Sequence, residues 1–239
     1  MPIPATINIV VPVFNEEAVL EKNILLLWEF AQKTLSHYNS QIIIADNNSR
    51  DNTAAIGQRL ALSRGIKYFF IPQKGRGLAL RKTFLENQAD FHVYMDIDLA
   101  TDLSALPVLV RALVEENYDL VTGSRFWPGS KIKRSLLREI ISRGYIFLVK
   151  LMFRTKLTDM QCGFKGLNNR TVQNIVSQTK DQEWFFDTEL LLLAEKNNYQ
   201  VKQIPITWIE TRNIGRKSKV RLAKDIWKFV TNLTKFKYS

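Results

Sequence analysis

The sequence predicts an α/β fold in which a mostly parallel sheet is flanked by helices. Short apolar runs alternate with segments of helical periodicity through about half of the chain, and polar side chains follow four of these runs. The 239 residues are enough to bury one sizeable core, and 46% of them are hydrophobic. We therefore expect a single domain over residues 1–239, with ligands bound where the strands end.

The individual elements follow from periodicity and from turn residues. We expect strands at residues 7–13, 41–45, 67–71, 91–95, 119–122 and 201–208. Asn15 is a plausible cap for a first helix whose apolar residues run from Leu20 to Leu35, and Asp51 is one for a second helix. Further helices are expected near residues 78–87, 106–117 and 183–197, and a Pro/Gly/Lys loop at residues 127–133.

The apolar run at residues 91–95 ends in two carboxylates, Asp96 and Asp98, which flank Ile97. In an extended segment, residues two apart point the same way, so both acids can converge on one divalent cation. Carboxylate oxygens suit Mg²⁺ or Mn²⁺, usually shared with substrate phosphates. For an isolated pair, a strand followed by a helix-capping aspartate is the commoner interpretation, and the surrounding motifs decide between the two.

Charge and cysteine content restrict the partners and the compartment. A net charge of +11 indicates an anionic partner, which can be a nucleic acid, a membrane surface or a phosphate-bearing substrate. The single cysteine, Cys162, excludes an internal disulfide framework and favours a reducing compartment. We expect neither a signal peptide nor a membrane-spanning segment, because no apolar run approaches the roughly 18 residues required.

Two segments, residues 134–156 and 220–236, alternate basic with bulky apolar side chains. The first is either a core helix with a solvated face or a basic amphipathic helix that lies on an anionic membrane, and the second is expected to be another basic amphipathic helix. A nucleic-acid partner is not expected, because the basic residues crowd the second half of the chain. The predicted strand ends carry acids, which would repel a phosphate backbone.

Four motifs occur in order, at residues 11–16, 46–53, 74–77 and 96–98. With this order and spacing the chain resembles family 2 glycosyltransferases of the GT-A fold. Further motifs resemble the branch that loads a sugar onto a polyprenyl or dolichyl phosphate; they lie at residues 123–126, 161–165, 184–190 and 218–219. The resemblance implies a nucleotide-sugar half at about residues 1–125 and an acceptor- and membrane-facing half at about residues 126–239.

The resemblance also implies roles on the donor side. Asp98, with Asp96 assisting, would hold the Mg²⁺ or Mn²⁺ that bridges the donor diphosphate. The other residues that it places around the nucleotide sugar are Pro12, Phe14, Glu16, Asp46, Asn47, Lys74 and Ile97. The family usually has Asp-Asp-Gly-Ser where this chain has Asp46-Asn47-Asn48-Ser49. Asn47 can still accept a hydrogen bond from a base, although Asn47-Asn48 can equally be a turn that needs left-handed residues.

On the acceptor side the resemblance implies that basic residues surround the diphosphate and the acceptor phosphate, namely Arg125, Arg143, Arg212 and Lys219. Each can instead be a solvated surface charge, since the chain has 34 lysines and arginines. Asp159, Asp187 and Glu189 lie in motifs and are expected to give structural or acceptor-side support. Because a lipid phosphate is already ionised near pH 7, transfer of the sugar to it needs no base. Attack from the face opposite the leaving group would invert the anomeric centre. A polysaccharide hydroxyl would need a base, for which Asp159 is the candidate.

The residues after the acidic pair, Leu99-Ala100-Thr101-Asp102, are closer to the glucose-transferring branch than to the mannose-transferring one. We therefore expect a UDP-glucose donor, with GDP-mannose as the alternative, and a polyprenyl or dolichyl phosphate acceptor. The chain would meet this lipid peripherally, at the cytoplasmic face of a membrane. The alternative outside the enzyme class is an inactive membrane-surface module of the same fold.

Overall fold

A computed structural model describes residues 4–210 and 222–238 of the chain. Its main sheet has seven strands, which are β1 (Thr6–Val13), β2 (Asn39–Asp46), β3 (Lys67–Phe70), β4 (Phe91–Met95), β5 (Leu120–Ser124), β7 (Phe164–Asn168) and β8 (Val201–Pro205). Their spatial order is β3-β2-β1-β4-β7-β5-β8, and only β7 runs antiparallel to its neighbours. A separate two-stranded parallel sheet pairs β6 (Lys131–Lys133) with β9 (Thr207–Ile209).

Helices cover both faces of the main sheet. They are α1 (Leu20–Thr34), α2 (Thr53–Arg64), α3 (Arg76–Glu86), α4 (Ala105–Val114), α5 (Leu136–Phe153), α6 (Asn169–Asn174), α7 (Phe186–Lys196) and α8 (Leu222–Lys237). The predicted α/β class, with a mostly parallel sheet between helices, is confirmed. No helix of the described residues combines the length and apolar character that crossing a bilayer requires.

The central strands are buried on both faces, which is why they read as continuous apolar runs. In β1, Ile9 and Val11 face the core shared with α1 and α4, whereas Val10 faces the core shared with α3 and α7. β2 divides in the same way, with Ile42 and Ile44 on one side and Ile43 on the other. This alternation follows from the two-residue period of a strand.

Four local expectations differ from the structure. Asn15 does not cap α1, because its φ of +52° places it in a turn five residues before the helix begins at Leu20. The predicted strand at residues 201–208 is divided into β8 and β9, which belong to different sheets. The predicted loop at residues 127–133 ends in β6, and β7 was not predicted.

The strand order places a binding site at one edge of the sheet. β1 lies between β2 and β4, so the order reverses there, and ligands of open α/β sheets bind outside the carboxyl ends of strands at such a point. β1, β2, β4 and β5 all end at this edge. Because β7 is antiparallel, its beginning reaches the same edge, where Phe164 is paired with Met95, the last residue of β4.

Candidate active site

The acidic pair lies at the carboxyl end of β4. The strand ends at Met95, and the backbone N–H of Leu99 donates to the carbonyl of Asp96 at 3.1 Å, which closes a turn over Asp96 and Asp98. The extended geometry expected for the pair is therefore wrong, because the second acid lies in this turn. The side chain of Asp96 is 42% exposed, and Asp98 Oδ1 accepts from the Ala100 N–H at 3.2 Å.

Asp96 is held between an arginine and a glycine. Asp96 Oδ1 accepts from Arg76 Nη2 at 2.9 Å. Asp96 Oδ2 lies against Gly163, so close that a Cβ added to this glycine would stand 2.1 Å from it. Gly163 precedes β7, and the pairing of β7 with β4 is what brings it beside Asp96. The carboxylate is thus fixed from two sides.

Behind Asp96 lies a buried group of charges. Arg76 Nη1 donates to Asp187 Oδ2 at 2.6 Å, and Lys165 Nζ donates to Asp187 Oδ1 at 2.7 Å. The hydroxyl of Tyr94 also donates to Asp187. Burial alone would raise the pKa of Asp187, but the charges of Lys165 and Arg76 hold this pKa below its ordinary value. Asp187 is therefore ionised and supports the structure, which is one of the two roles expected for it.

A close helix contact allows Arg76 to reach Asp187. Arg76 is the first residue of α3, and a Cβ on the next residue, Gly77, would stand 2.7 Å from the Cβ of Phe186 in α7. The Leu78 N–H donates to the carbonyl of Gln182 at 3.1 Å across the same contact. The start of α3 consequently rests on the turn that leads into α7.

The end of β2 forms a compact turn. Asp46 is fully buried and accepts from the Ser49 N–H at 2.9 Å and from the hydroxyl of Tyr68 at 2.6 Å. Asn47 Oδ1 accepts from the Gly75 N–H at 2.6 Å, which ties β2 to the loop before α3. Asn48 has a φ of +59°, as the turn alternative required.

The other residues predicted around the nucleotide lie at the same edge. Lys74 Nζ lies 4.2 Å from the ring centroid of Phe14, just beyond β1. Glu16 is buried, and its N–H donates to Thr53 Oγ1 at 2.8 Å. Pro12 is half-buried within β1. Ile97 is buried, and its carbonyl accepts from Asn23 Nδ2 at 2.8 Å.

Arg125 follows β5 and is committed to a partner. Its Nε and Nη2 donate to the two carboxylate oxygens of Asp159 at 2.7 and 2.8 Å, and its backbone N–H donates to Asp159 as well. The side chains are 12% and 1% exposed. Burial alone would raise the pKa of Asp159, but Arg125 holds it below the ordinary value. Asp159 is thus ionised and enclosed.

Two further arginines lie close to the ring of Phe126, the residue that follows Arg125. The guanidinium carbons of Arg134 and Arg143 lie 5.2 and 4.9 Å from the Phe126 ring centroid. Arg143 pairs with Glu139 at 2.7 Å and is 62% exposed, whereas Arg134 Nε and Nη2 are buried without a hydrogen-bond partner among the described residues. Burial and the charge of Arg125 lower the pKa of Arg134. This arrangement favours the binding of an anion beside Phe126.

The residues predicted for the donor side therefore lie at one edge of the sheet, and Arg125 and Arg143 lie after β5 and in α5. Arg212 and Lys219 lie outside the described residues. Sequence reasoning missed Arg76, Arg134, Gly163 and Lys165 as site residues. Three of them lie inside quoted motifs, so the signal was present, but the partners that give each its role come from distant parts of the chain.

The acidic pair fits a divalent metal in the way that substrate-bridging sites do. Mg²⁺ is commonly held by one or two carboxylates, with phosphate oxygens and waters as the remaining ligands. In residues 4–210 and 222–238 no three His, Cys, Asp or Glu side chains come together as a ready-made cage. Asp96, which is partly exposed, and Asp98 are donors of the type that leaves room for a diphosphate.

Curated relatives match nearly the whole chain. Glycosyltransferase AglD of Haloferax volcanii is 33% identical over 92% of this chain and 35% of its own length. The dolichyl-phosphate beta-glucosyltransferases of Dictyostelium discoideum and Saccharomyces cerevisiae are 28% and 29% identical over 92% and 95% of this chain. The chain spans about a third of the first relative and 72% of each of the other two.

Solved structures with the same fold include glucosyl-3-phosphoglycerate synthase from Mycobacterium tuberculosis in complex with UDP. It is 18% identical, with a TM-score of 0.70 over 98% of this chain and 80% of that one. The same enzyme has been crystallised with Mn²⁺ and UDP and with Mg²⁺ and UDP. Residues 8–176 of the chain match glycosyl transferase family 2. The chain therefore belongs to this glycosyltransferase family, as its motifs indicated.

Proposed function

We propose that the chain transfers glucose from UDP-glucose to a polyprenyl or dolichyl phosphate, with inversion at the anomeric carbon and with Mg²⁺ or Mn²⁺. The observation that carries this proposal is the similarity to dolichyl-phosphate beta-glucosyltransferases, which extends over 92% and 95% of the chain. The site geometry agrees with it, because the acidic pair lies where the strand order reverses.

On the donor side, the chain's own residues would bind and orient the nucleotide. The Phe14 ring and Lys74 lie together at the end of β1, where an aromatic face and a cation suit a base and a phosphate. Asp96 and Asp98 would hold the metal, whose contribution when bound is to neutralise charge on the departing nucleoside diphosphate. Arg76 and Gly163 keep Asp96 in place for this role.

On the acceptor side, the geometry favours a phosphate over a sugar hydroxyl. A hydroxyl needs a base, and the candidate Asp159 has both oxygens bound by Arg125 and a lowered pKa. A phosphate needs only cations and donors. Arg134 and Arg143, which both lie close to the Phe126 ring, provide cations and donors beside the end of β5. Because Asp159 is bound by Arg125 and the two arginines suit a phosphate, we rank transfer to a polysaccharide hydroxyl second.

We also propose peripheral contact with a membrane through α5. This helix packs one face against the core with Tyr145, Val149 and Met152. Its opposite face carries an apolar stripe at helical spacing, formed by Leu136, Ile140, Phe147 and Leu151, which are 75%, 60%, 70% and 69% exposed. Exposed apolar side chains beside Arg143 and Lys150 are typical of helices that lie in an anionic interface.

α8, the second segment predicted to contact a membrane, differs from α5. Phe229 packs against Tyr145 and Phe185, and Phe236 packs against Phe153. Asn232 donates to Asp181 at 2.9 Å. Phe229 and Phe236 are thus turned toward α5 and the core. We therefore assign the membrane contact to the stripe on α5.

The function is tested by incubating the purified protein with Mn²⁺, a polyprenyl phosphate in detergent and either UDP-glucose or GDP-mannose. We expect a glucolipid that a β-glucosidase cleaves, and no mannolipid. A mannolipid would replace the donor assignment, and transfer to a glucan instead of the lipid would replace the acceptor. Binding of neither nucleotide would favour an inactive module.

A further inference from the structure

The charges behind the acidic pair form one unit, which we name the Arg76 cluster: Arg76, Lys165, Asp187 and Asp96. It contains two cations and two carboxylates. The side chains of Arg76, Lys165 and Asp187 are 8%, 0% and 4% exposed, whereas that of Asp96 is 42% exposed. The cluster is therefore balanced in charge, and it presents one of its carboxylates to the site.

Within the cluster, Arg76 joins the buried part to the exposed part. Its Nη1 donates to Asp187 at 2.6 Å and its Nη2 donates to Asp96 at 2.9 Å. The guanidinium carbon lies 5.2 Å from the ring centroid of Trp184 and 5.8 Å from that of Tyr94. A planar guanidinium can bridge two carboxylates in this way, whereas the point charge of a lysine cannot keep both bonds in the same geometry.

Asp187, in turn, is immobilised independently of Arg76. Lys165 and the hydroxyl of Tyr94 both donate to its Oδ1, and the carbonyl of Cys162 accepts from Lys165. Lys165 and Tyr94 are partners in the register of β4 with β7, so the sheet itself fixes their spacing. Asp187 is consequently a rigid base from which Arg76 extends to Asp96.

We propose that Arg76 is a positioning residue, which fixes the Asp96 carboxylate for the metal–nucleotide complex by bridging it to Asp187. Gly163 limits the position of the same carboxylate from the other side. The inference rests on the proposed function, because it requires that Asp96 faces a metal-bound diphosphate. It also assigns the motif at residues 184–190 to the donor side, since Trp184 and Asp187 both hold Arg76.

The test measures UDP binding by calorimetry with and without Mn²⁺, which requires neither acceptor nor transfer. We expect Arg76→Lys to weaken Mn²⁺-dependent UDP binding by about tenfold or more, the usual effect of losing a partner of a metal ligand. UDP binding without Mn²⁺ should change less than twofold. The matched control is Arg81→Lys, in the same helix, where the arginine donates to the carbonyl of Thr179 at 2.5 Å and does not belong to the cluster.

A second variant displaces the carboxylate of Asp96 without replacing any of the buried charged residues. Gly163→Ala places a methyl group where Asp96 Oδ2 lies, and the φ of Gly163 is not among the positive ones, so the backbone accepts alanine. We expect the same loss of Mn²⁺-dependent binding, with a melting temperature that stays within a few degrees of the wild type. This variant keeps the inference testable if Arg76→Lys does not fold.

The outcomes separate the inference from the proposed function. If the wild type binds UDP more tightly with Mn²⁺ and either folded variant does so equally well, the positioning role is wrong and the metal site stands. An equal loss in Arg81→Lys would also overturn the role, because the effect would not be specific to the cluster. If Mn²⁺ does not strengthen UDP binding by the wild type, the metal site and the inference fail together.

Discussion

At the scale of single residues, Arg125 and Asp159 are linked by two side-chain hydrogen bonds of 2.7 and 2.8 Å in a nearly enclosed position. The resemblance implies a phosphate near Arg125, with a solvated surface charge as the alternative, and Asp159 is the candidate base for a hydroxyl acceptor. The pairing gives both residues a structural part. A buried pair of this kind is costly to break from one side, because the remaining charge is left without its partner.

We expect Asp159→Asn and Arg125→Gln each to lower the free energy of unfolding by about 3 kcal/mol. The double variant should lose less than the sum, because neither charge is then left alone. Urea unfolding of the four proteins gives this coupling directly. Additive losses would show that the two side chains do not depend on each other.

His92 provides a second test at this scale. Its ring is fully buried and packs edge-on against Phe84, and burial lowers its pKa to about 4. Because the unfolded chain takes up this proton near pH 6.5 and the folded chain does not, stability should fall as the pH falls from about 6.5 to about 4.

We expect His92→Leu to remove this contribution of His92 to the pH dependence of stability. Between pH 7 and pH 5 the wild type should lose about 2 kcal/mol more unfolding free energy than the variant. Unfolding in urea at the two pH values measures the difference, and the carboxylates common to both proteins cancel. Equal losses would mean that His92 is protonated in the fold as readily as in water.

At the scale of elements, apolar runs were sufficient to predict β1 to β5, because strands buried on both faces need no polar alternation. β7 was missed for a physical reason. Its sequence includes Lys165, which is tolerated in the core because it pairs with Asp187, twenty-two positions away along the chain. A local pattern carries no information about such a partner.

The same limit applies to the site. The carboxylates Asp96 and Asp98 could be recognised from the strand that precedes them. The arginine that holds Asp96 could not, since Arg76 lies in another element and owes its position to the contact between α3 and α7. Sequence motifs thus predicted the carboxylates at the strand end, while the structure was needed to identify the groups behind them.

The stripe on α5 gives a prediction for this scale. Phe147→Ser combined with Leu151→Ser should weaken binding to vesicles containing anionic lipid by about tenfold, because two large apolar groups no longer enter the interface. The matched control is Leu62→Ser in α2, whose side chain is 91% exposed on another element. Cosedimentation measures binding, and the thermal melting of both variants should match that of the wild type.

If the double variant and the control bind equally, the stripe is not the contact surface. Binding should also fall in about 1 M salt, where the Debye length shortens to about 3 Å and headgroup attraction is screened. Binding that ignores both salt and anionic lipid would remove the electrostatic part of the proposal.

At the scale of the whole molecule, groups from five strands lie at one edge of the sheet, and acidic and basic side chains occupy different parts of this edge. Acidic side chains lie at the end of β4, while arginines lie after β5 and in α5. We propose that the first group serves the donor and the second the acceptor. The net charge of +11 suits both a diphosphate and an anionic membrane.

The central claim is that the acidic pair at the end of β4 is required for the transfer of glucose to a lipid phosphate. The most direct measurement is the rate of glucolipid formation from UDP-glucose in saturating Mn²⁺ by the wild type and by Asp98→Asn. We expect product from the wild type and a rate about 100-fold lower from the variant, because the diphosphate loses its charge stabilisation. Equal rates from the two proteins would contradict the account.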